Sequence, residues 1–403
     1  MGMLSTIYTI CIVKKYVCVI LLFFKLSISV VYSQIDSIGN VILNNLDSLR
    51  MAKVDFGAFN ITPYLAPTYS PETQWMLSGG GLITFKVQKE NRNLNLSSIP
   101  FSIGYSSSGA LNITLDHEVY WTDDRIRFIG GFTYRNMPDH YWGVGYSNGV
   151  DVVKSDTTTA YTRHHWKFKE RVMFSVASGL YIGPVVDFNY TLATGLNERM
   201  ASDPNVVNEG TEFSNAGIGF FLEYDTRDFP QNAYEGIYLG GNLIYYRDWW
   251  VGKTNFQLVE FDYRQYKTLG RKGQTLAWQI RNWFALGDKI PWTDLAMLGG
   301  KDNLRGYTLG RFRDQQMVSA MVEYRHMFKR KTLNKKGNYN SRWGYVVWGG
   351  TGSVASSIRK MKNWLPNGGL GIRFELQPRM NIRCDYGRGK GEDAFYITFS
   401  EAF

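Results

Sequence analysis

Cysteine is too scarce to staple this fold. Of three cysteines in 403 residues, Cys11 and Cys18 fall in an N-terminal stretch with the marks of a leader. That leaves Cys384 alone and excludes an internal disulfide. No bundle of membrane helices is expected either, because the mean hydropathy is −0.25. No basic helix or zinc-ligand spacing accompanies the net charge of +10, so a nucleic-acid partner is not expected. Part of that charge lies in the leader, and the rest suits an anionic membrane surface. Proline is scarce, at 11 residues, and two of them, Pro63 and Pro67, stand in one candidate strand. In excess are glycine (41 residues) and aromatics (26 Tyr, 24 Phe, 12 Trp), the composition of a transmembrane barrel.

Residues 1–33 read as a secretory signal: Lys14-Lys15, then an apolar run from Tyr16 to Val31, then Val31-Tyr32-Ser33 as a cleavage site. Cys18 lacks the preceding residues of a lipoprotein site. Residues 34–55 leave room for a short pre-barrel segment, with Ile38, Ile42, Leu46 and Leu49 spaced for a small helix.

From Phe56 to Phe403 the chain reads as sixteen strands, which predicts an all-β transmembrane antiparallel barrel. They cover about 56–68, 74–88, 98–107, 109–121, 124–135, 161–175, 179–190, 214–226, 236–249, 254–268, 273–287, 314–328, 341–350, 366–376, 380–388 and 393–403. Side chains alternate between two faces of a strand. Ile218, Phe220, Leu222 and Tyr224 therefore share one face; Phe221, Glu223 and Asp225 share the other. Met380, Ile382, Cys384 and Tyr386 likewise oppose Arg383 and Asp385. A soluble sandwich would alternate too, but here the polar face carries both signs of charge, as a watery lumen does. Tyr245, Tyr246, Trp249 and Trp250 suit an interface girdle.

Connections alternate in length. Those at 122–123, 176–178, 269–272 and 377–379 are short; those at 136–160, 191–213, 288–313 and 351–365 are long. Short turns face the periplasm and long loops the outside. Lys89–Ser97 and Lys329–Asn340 are longer than the other periplasmic turns, and the second holds a run of basic residues read as a solvated turn. The long loop 288–313 contains Leu298-Gly299-Gly300-Lys301-Asp302-Asn303-Leu304-Arg305-Gly306-Tyr307. A guanidinium among apolar residues and glycines calls for a carboxylate, because arginine stays charged and suits bidentate pairing. The last strand, with Phe395, Ile397, Phe399 and Phe403 assigned to one face, resembles the recognition signal read by the barrel-assembly machinery.

These segments together resemble the barrel domain of the Omp85 superfamily, of the bacterial surface antigen or BamA/TamA type. Leu304-Arg305-Gly306-Tyr307 is similar to that family's loop motif. Arg313-Asp314-Gln315 through Glu323-Tyr324-Arg325 is similar to the strand that follows it, acidic residue included. Glu223 through Pro230, then Gly236, is similar to a turn of the same family. The resemblance implies a sixteen-stranded barrel in the bacterial outer membrane with the loop folded into the lumen, and Arg305 paired with Glu323. Two departures are visible. The 34–55 segment is too short for the POTRA repeats the family usually carries, so a short, barrel-only form is expected. Where the family often has a second acid, the matching stretch Trp348-Gly349-Gly350-Thr351 places Gly349, which is expected to provide space for the loop.

Enzyme motifs do not hold together. Gly145-Tyr146-Ser147-Asn148-Gly149 matches a nucleophile elbow in letters only, since a polar loop and no helix is expected after it. His164-His165 would point to opposite faces of a strand. Gly387-Arg388-Gly389-Lys390-Gly391 lacks the spacing of a phosphate loop and reads as a connection between strands. The sequons headed by Asn60, Asn112 and Asn189 read as chance. No enzyme, metal or cofactor is expected. Two roles remain. One is assembly or insertion of outer-membrane proteins, alone or in a complex, using a weak seam between the first strand, with Pro63 and Pro67, and the last, which ends at Phe403. The other is a transporter or porin with a polar path through Glu260, Asp262, Arg264, Arg281, Arg373 and Arg383. Expected partners are outer-membrane lipids or lipopolysaccharide, the machinery that inserts the barrel itself, and other outer-membrane proteins.

Overall fold

The computed structural model describes residues 59–88, 94–248, 252, 254–329, 340–377 and 379–403. The signal segment, the 34–55 segment, Trp249, Trp250, and most of the two long turns at 89–97 and 329–340 lie outside the described residues.

Sixteen antiparallel strands close into one barrel. They are β1 (Asn60–Ser70), β2 (Gln74–Phe85), β3 (Ser97–Ser106), β4 (Leu111–Trp121), β5 (Ile126–His140), β6 (Ala160–Ala177), β7 (Leu180–Thr194), β8 (Glu212–Asp225), β9 (Gly236–Tyr246), β10 (Phe256–Thr268), β11 (Gln274–Leu286), β14 (Gln316–Lys329), β15 (Asn340–Ala355), β16 (Leu365–Gln377), β17 (Met380–Gly389) and β18 (Glu392–Phe399). A two-stranded ribbon, β12 (Ala296–Leu298) with β13 (Phe312–Asp314), lies in the loop between β11 and β14. Each strand's neighbours in space are its neighbours in sequence, except that β11 pairs β14 and β1 closes onto β18. Closure matters because lipid offers no partner to an open strand edge.

The two faces follow the alternation. On β8, Ile218 and Phe220 are 54% and 61% exposed, while Phe221 and Glu223, on the opposite face, are buried. The outward face is therefore apolar and unprotected by protein, as lipid contact requires. Inside, the charged residues pair across the lumen: Lys169 on β6 reaches Glu260 on β10 at 3.1 Å.

Several boundaries differ from expectation. β5 continues through Pro138 to His140, and β15 runs on to Ala355, so the long loops begin later than their composition suggests. The stretch after Gly145 is a short helix, Tyr146–Asp151, and not a plain polar loop; Gly145 enters it at φ 96°. The last strand stops at Phe399. Ser400, at φ 66°, turns the chain inward, and Phe403 is buried inside the barrel instead of sharing the outward face of Phe395. Its carbonyl accepts from Arg325 Nη2 at 2.8 Å, and its ring lies 5.1 Å from that guanidinium.

One seam is weak. β1 meets β18 at a single register position, Tyr69 opposite Ile397. β1 meets β2 along its whole length, and β17 meets β18 from Ile382–Phe399 to Gly389–Glu392. Pro63 and Pro67 stand at positions of like parity in β1, so their missing N–H donors fall on one edge of that strand.

The lipid face can be tested by charge. Phe220→Arg should destabilise the barrel by roughly 2–4 kcal/mol, read as a lower temperature for loss of the fast-migrating unheated band on a gel. The same change on a water-exposed surface would cost within about 0.5 kcal/mol. A shift that small would show that β8 does not face lipid.

Candidate functional site

The loop between β11 and β14 enters the barrel as a ribbon and then folds back on itself. Gly299 and Gly300, at φ 110° and 85°, turn the chain after β12. The tip is a tight turn in which Tyr307 N donates to Leu304 O at 3.3 Å, with Gly306 at φ 106°. A non-glycine residue at Gly306 would be strained twice. Its backbone is left-handed, and a Cβ would come within 2.8 Å of the Arg388 backbone. The wall is shaped to match. A Cβ on Gly387 would lie 3.0 Å from the Arg305 carbonyl carbon, and one on Gly389 would lie 2.2 Å from the Tyr307 ring. Gly387 and Gly389 thus form the seat of the loop tip, a role their spacing in sequence did not announce.

At that seat Arg305 is fully buried. Its Nη1 donates to Asp385 Oδ2 at 2.7 Å, its Nη2 donates to Glu323 Oε1, and its guanidinium lies 3.8 Å from the Trp348 ring. Leu304 and Tyr307 are buried beside it. Tyr307 Oη donates to the Pro366 carbonyl at 2.8 Å and accepts from Lys390 N at 2.7 Å. Asn367 Nδ2 donates to the Arg305 carbonyl at 2.7 Å. Further along, Leu309 N donates to Glu72 Oε1 at 3.1 Å, and Arg311 Nη1 meets Glu392 Oε2 at 2.7 Å. The loop is therefore fastened to both sides of the seam.

The charges form a chain larger than one pair. Arg325 Nε donates to Glu323 Oε2 at 2.9 Å; Arg373 joins Asp385 at 2.5 Å and Glu401 at 2.8 Å; Arg383 joins Asp302 at 2.7 Å. Four arginines (305, 325, 373, 383) thus balance four carboxylates (302, 323, 385, 401). Glu401 belongs to the C-terminal tail, so the end of the chain helps hold the loop. Arginines shared between two carboxylates, as Arg305 and Arg373 are, make burial of the charges tolerable.

Two expectations need correction. Gly349 does not make room for the loop. It stands opposite Val322 and Gly368 on the exposed face, and a Cβ there would meet only the Asn367 carbonyl, at 3.8 Å. The inward residue is Trp348, which stacks on Arg305. Nor is Glu323 the sole acceptor, since Asp385 of β17 supplies the second carboxylate. Alternation had already set Asp385 on the inward face with Arg383, but nothing local connected it to a loop 80 residues earlier.

The root of the loop packs elsewhere. Trp292 is buried against Tyr141, Tyr161 and Phe213, and its Nε1 donates to the Gly210 carbonyl at 3.0 Å. Asp294 accepts from Asn215 Nδ2 at 3.0 Å. Burial pushes the Asp294 carboxyl up to about 6. At the short-turn end a cavity of about 1320 Å³ remains, lined by Glu118, Arg127, Lys169, Arg171, Glu223 and Phe229 among others. A smaller one, about 370 Å³, lies behind the seam between Ser70, Thr398 and Lys301.

Arg305→Ala and Glu323→Ala should each cost on the order of 3–5 kcal/mol, because each unbalances a buried cluster. The double variant restores neutrality and should cost clearly less than the sum of the two. Arg305→Lys should behave like the alanine, since an ammonium cannot bridge Glu323 and Asp385 while stacking on Trp348. Thermal stability of the four variants decides it: strictly additive losses would show that the two residues are not coupled.

The Omp85 superfamily domain matches residues 88–403 of this chain. Among solved structures, the fold is similar to that of BamA from Haemophilus ducreyi lacking POTRA domains 1-3, with a TM-score of 0.58 and 12% identity over 89% of this chain and 78% of that one. It is also similar to CdiB from Acinetobacter baumannii, with a TM-score of 0.50 and 14% identity over 88% of this chain and 66% of that one. CdiB from Escherichia coli has the same TM-score at 8% identity, over 84% and 62% of the two chains. At such identities the likeness is one of fold, and this chain spans less than two thirds of either CdiB. No protein of curated function matches the sequence. With the family's domain matched over nearly the whole barrel and the barrel itself closed from sixteen antiparallel strands, the chain belongs to the Omp85 superfamily.

Proposed function

We propose that this protein assembles or inserts other proteins in the bacterial outer membrane, alone or as a subunit of a complex, by opening the seam between β1 and β18. The observation that carries this reading is the single register position of that seam. Below Tyr69 and Ile397 the two edges carry backbone donors and acceptors that lipid cannot satisfy, and an incoming strand can. The latch keeps the seam's surroundings rigid while it opens. Loop contacts reach Glu72 just beyond β1 and Glu392 in β18, so the loop ties both flanks to the wall. On this reading the work is mechanical and involves no bond chemistry. Its clients are other outer-membrane proteins, its surroundings are outer-membrane lipid and lipopolysaccharide, and its own last strand addresses it to the barrel-assembly machinery.

A second reading, passage of a substrate through the lumen, draws on the cavity of about 1320 Å³ at the short-turn end and its lining of both charges. Against it stands the loop, which fills the lumen above that cavity with buried side chains.

The two readings part when the seam is locked. Tyr69→Cys with Ile397→Cys places two thiols at the one paired position, within reach of a disulfide. Cys384 must be changed to Ala in the same protein, because it stands opposite Ile397 on the other side and would compete. Oxidation should abolish insertion of a client barrel into vesicles, and reductant should restore it. Full activity in the oxidised protein would sink the insertion reading and leave passage through the lumen.

A further inference from the structure

One ion pair stands on the lipid side of the wall. Among the described residues the other ion pairs lie on inward faces, in turns or in loops. His117 Nε2 and Glu170 Oε2, 3.0 Å apart, are the exception. Alternation puts His117 in the outward series Ile113, Leu115, Val119 and Trp121 of β4. It puts Glu170 in the outward series Trp166, Phe168 and Val172 of β6. The two residues belong to strands separated by β5, and both stand opposite Gly130. That glycine lets them meet: a Cβ on it would lie 2.2 Å from Glu170 Oε2.

The pair is deep in the membrane. His117 is four residues from Trp121, which packs with Phe128 at 5.9 Å; Glu170 is four residues from Trp166, which packs with Tyr134 at 4.3 Å. At about 3.3 Å per residue and a strand tilt of roughly 40°, that is about 10 Å from either aromatic belt. Around it the surface is apolar and open: Phe101, Ile103 and Leu115 are exposed. Ionisable groups at that depth are expensive on a lipid face. Within the wall, among the described residues, the imidazole is the carboxylate's one charged partner, its Nε2 lying 3.0 Å from Glu170 Oε2 and 3.2 Å from Oε1.

We propose that this face of β4–β6 docks a second copy of the same chain within the membrane, the two His117–Glu170 pairs meeting across a two-fold axis. The argument is the sign of the charges. A lone acid or base would call for a partner of opposite sign. A doublet with one donor and one acceptor is complementary to itself, because a two-fold axis sets each imidazole against the other copy's carboxylate. That arrangement closes the polar island away from lipid. It requires only that the barrel spans a membrane, and holds whichever activity the protein has.

Cross-linking in native membranes tests it, using the full chain with Cys384→Ala. Leu115→Cys lies on the proposed face, and Leu370→Cys lies exposed on β16, across the barrel. Mild oxidation should give a product of twice the chain mass with Leu115→Cys and none with Leu370→Cys. Adding His117→Leu with Glu170→Leu should lower that product about tenfold. The reversed pair, His117→Glu with Glu170→His, should retain it. If the apolar double variant does not show the heat-dependent gel shift of a folded barrel, Glu170→Gln replaces it and should lower the product in the same direction. The proposal fails if no dimer forms through residue 115, if both walls cross-link equally, or if the product has another mass. It fails too if the folded variants cross-link as the parent does.

Discussion

A guanidinium that stays charged cannot be left alone inside a protein, and Arg305 is fully buried. Everything around it answers that constraint. Two carboxylates from strands far apart in sequence, Glu323 and Asp385, take its two Nη atoms, and Trp348 covers its face. The same carboxylates are shared with Arg325 and Arg373, so the charge is spread over a neutral cluster and not held in one pair. Because the arginine sits at the tip of the long loop, satisfying it pulls the loop into the lumen. The glycines at 306, 387 and 389 then become necessary, since only bare backbone allows the tip so close to the wall.

The latch and the seam are neighbours, so a barrel with a short ladder at one seam is still held rigid there. Ladder hydrogen bonds hold every other strand pair over many residues, whereas β1 and β18 share one register position. A barrel with such a gap in its ladder would be expected to drift apart there. The loop offsets this from inside: it bonds to Glu72 beyond β1 and to Glu392 on β18, and the C-terminal tail returns into the same cluster through Glu401 and Phe403. Side-chain contacts within the lumen thus replace backbone contacts missing at the wall. Such contacts can be exchanged without unfolding a strand, which is what the proposed opening of the seam would require.

The His117–Glu170 pair obeys the same electrostatics on the opposite side of the wall. Inside, carboxylates and guanidiniums have several partners each; outside, one imidazole faces one carboxylate in an apolar field.

Much of the fold was legible in the chain itself. Period-two alternation in stretches such as 218–225 and 380–386 places one face in lipid and one in the lumen, and the strand count follows from its repetition. Strand ends were less legible. Hydrophobicity fades before the backbone ladder does, so β5 and β15 run past where their patterns stop, and a single left-handed residue, Ser400, sends Phe403 inward against its parity. For the site, the glycine-flanked arginine and an inward acid on the following strand could be read locally. Asp385, Glu401 and Trp348 could not be attached to Arg305, because β17, the tail and β15 meet the loop only when the barrel closes. Sequence determined which side chains face inward, since that depends on parity along a strand. Tertiary structure alone decided which of them touch, since that depends on the register between strands and on the height at which the loop comes to rest.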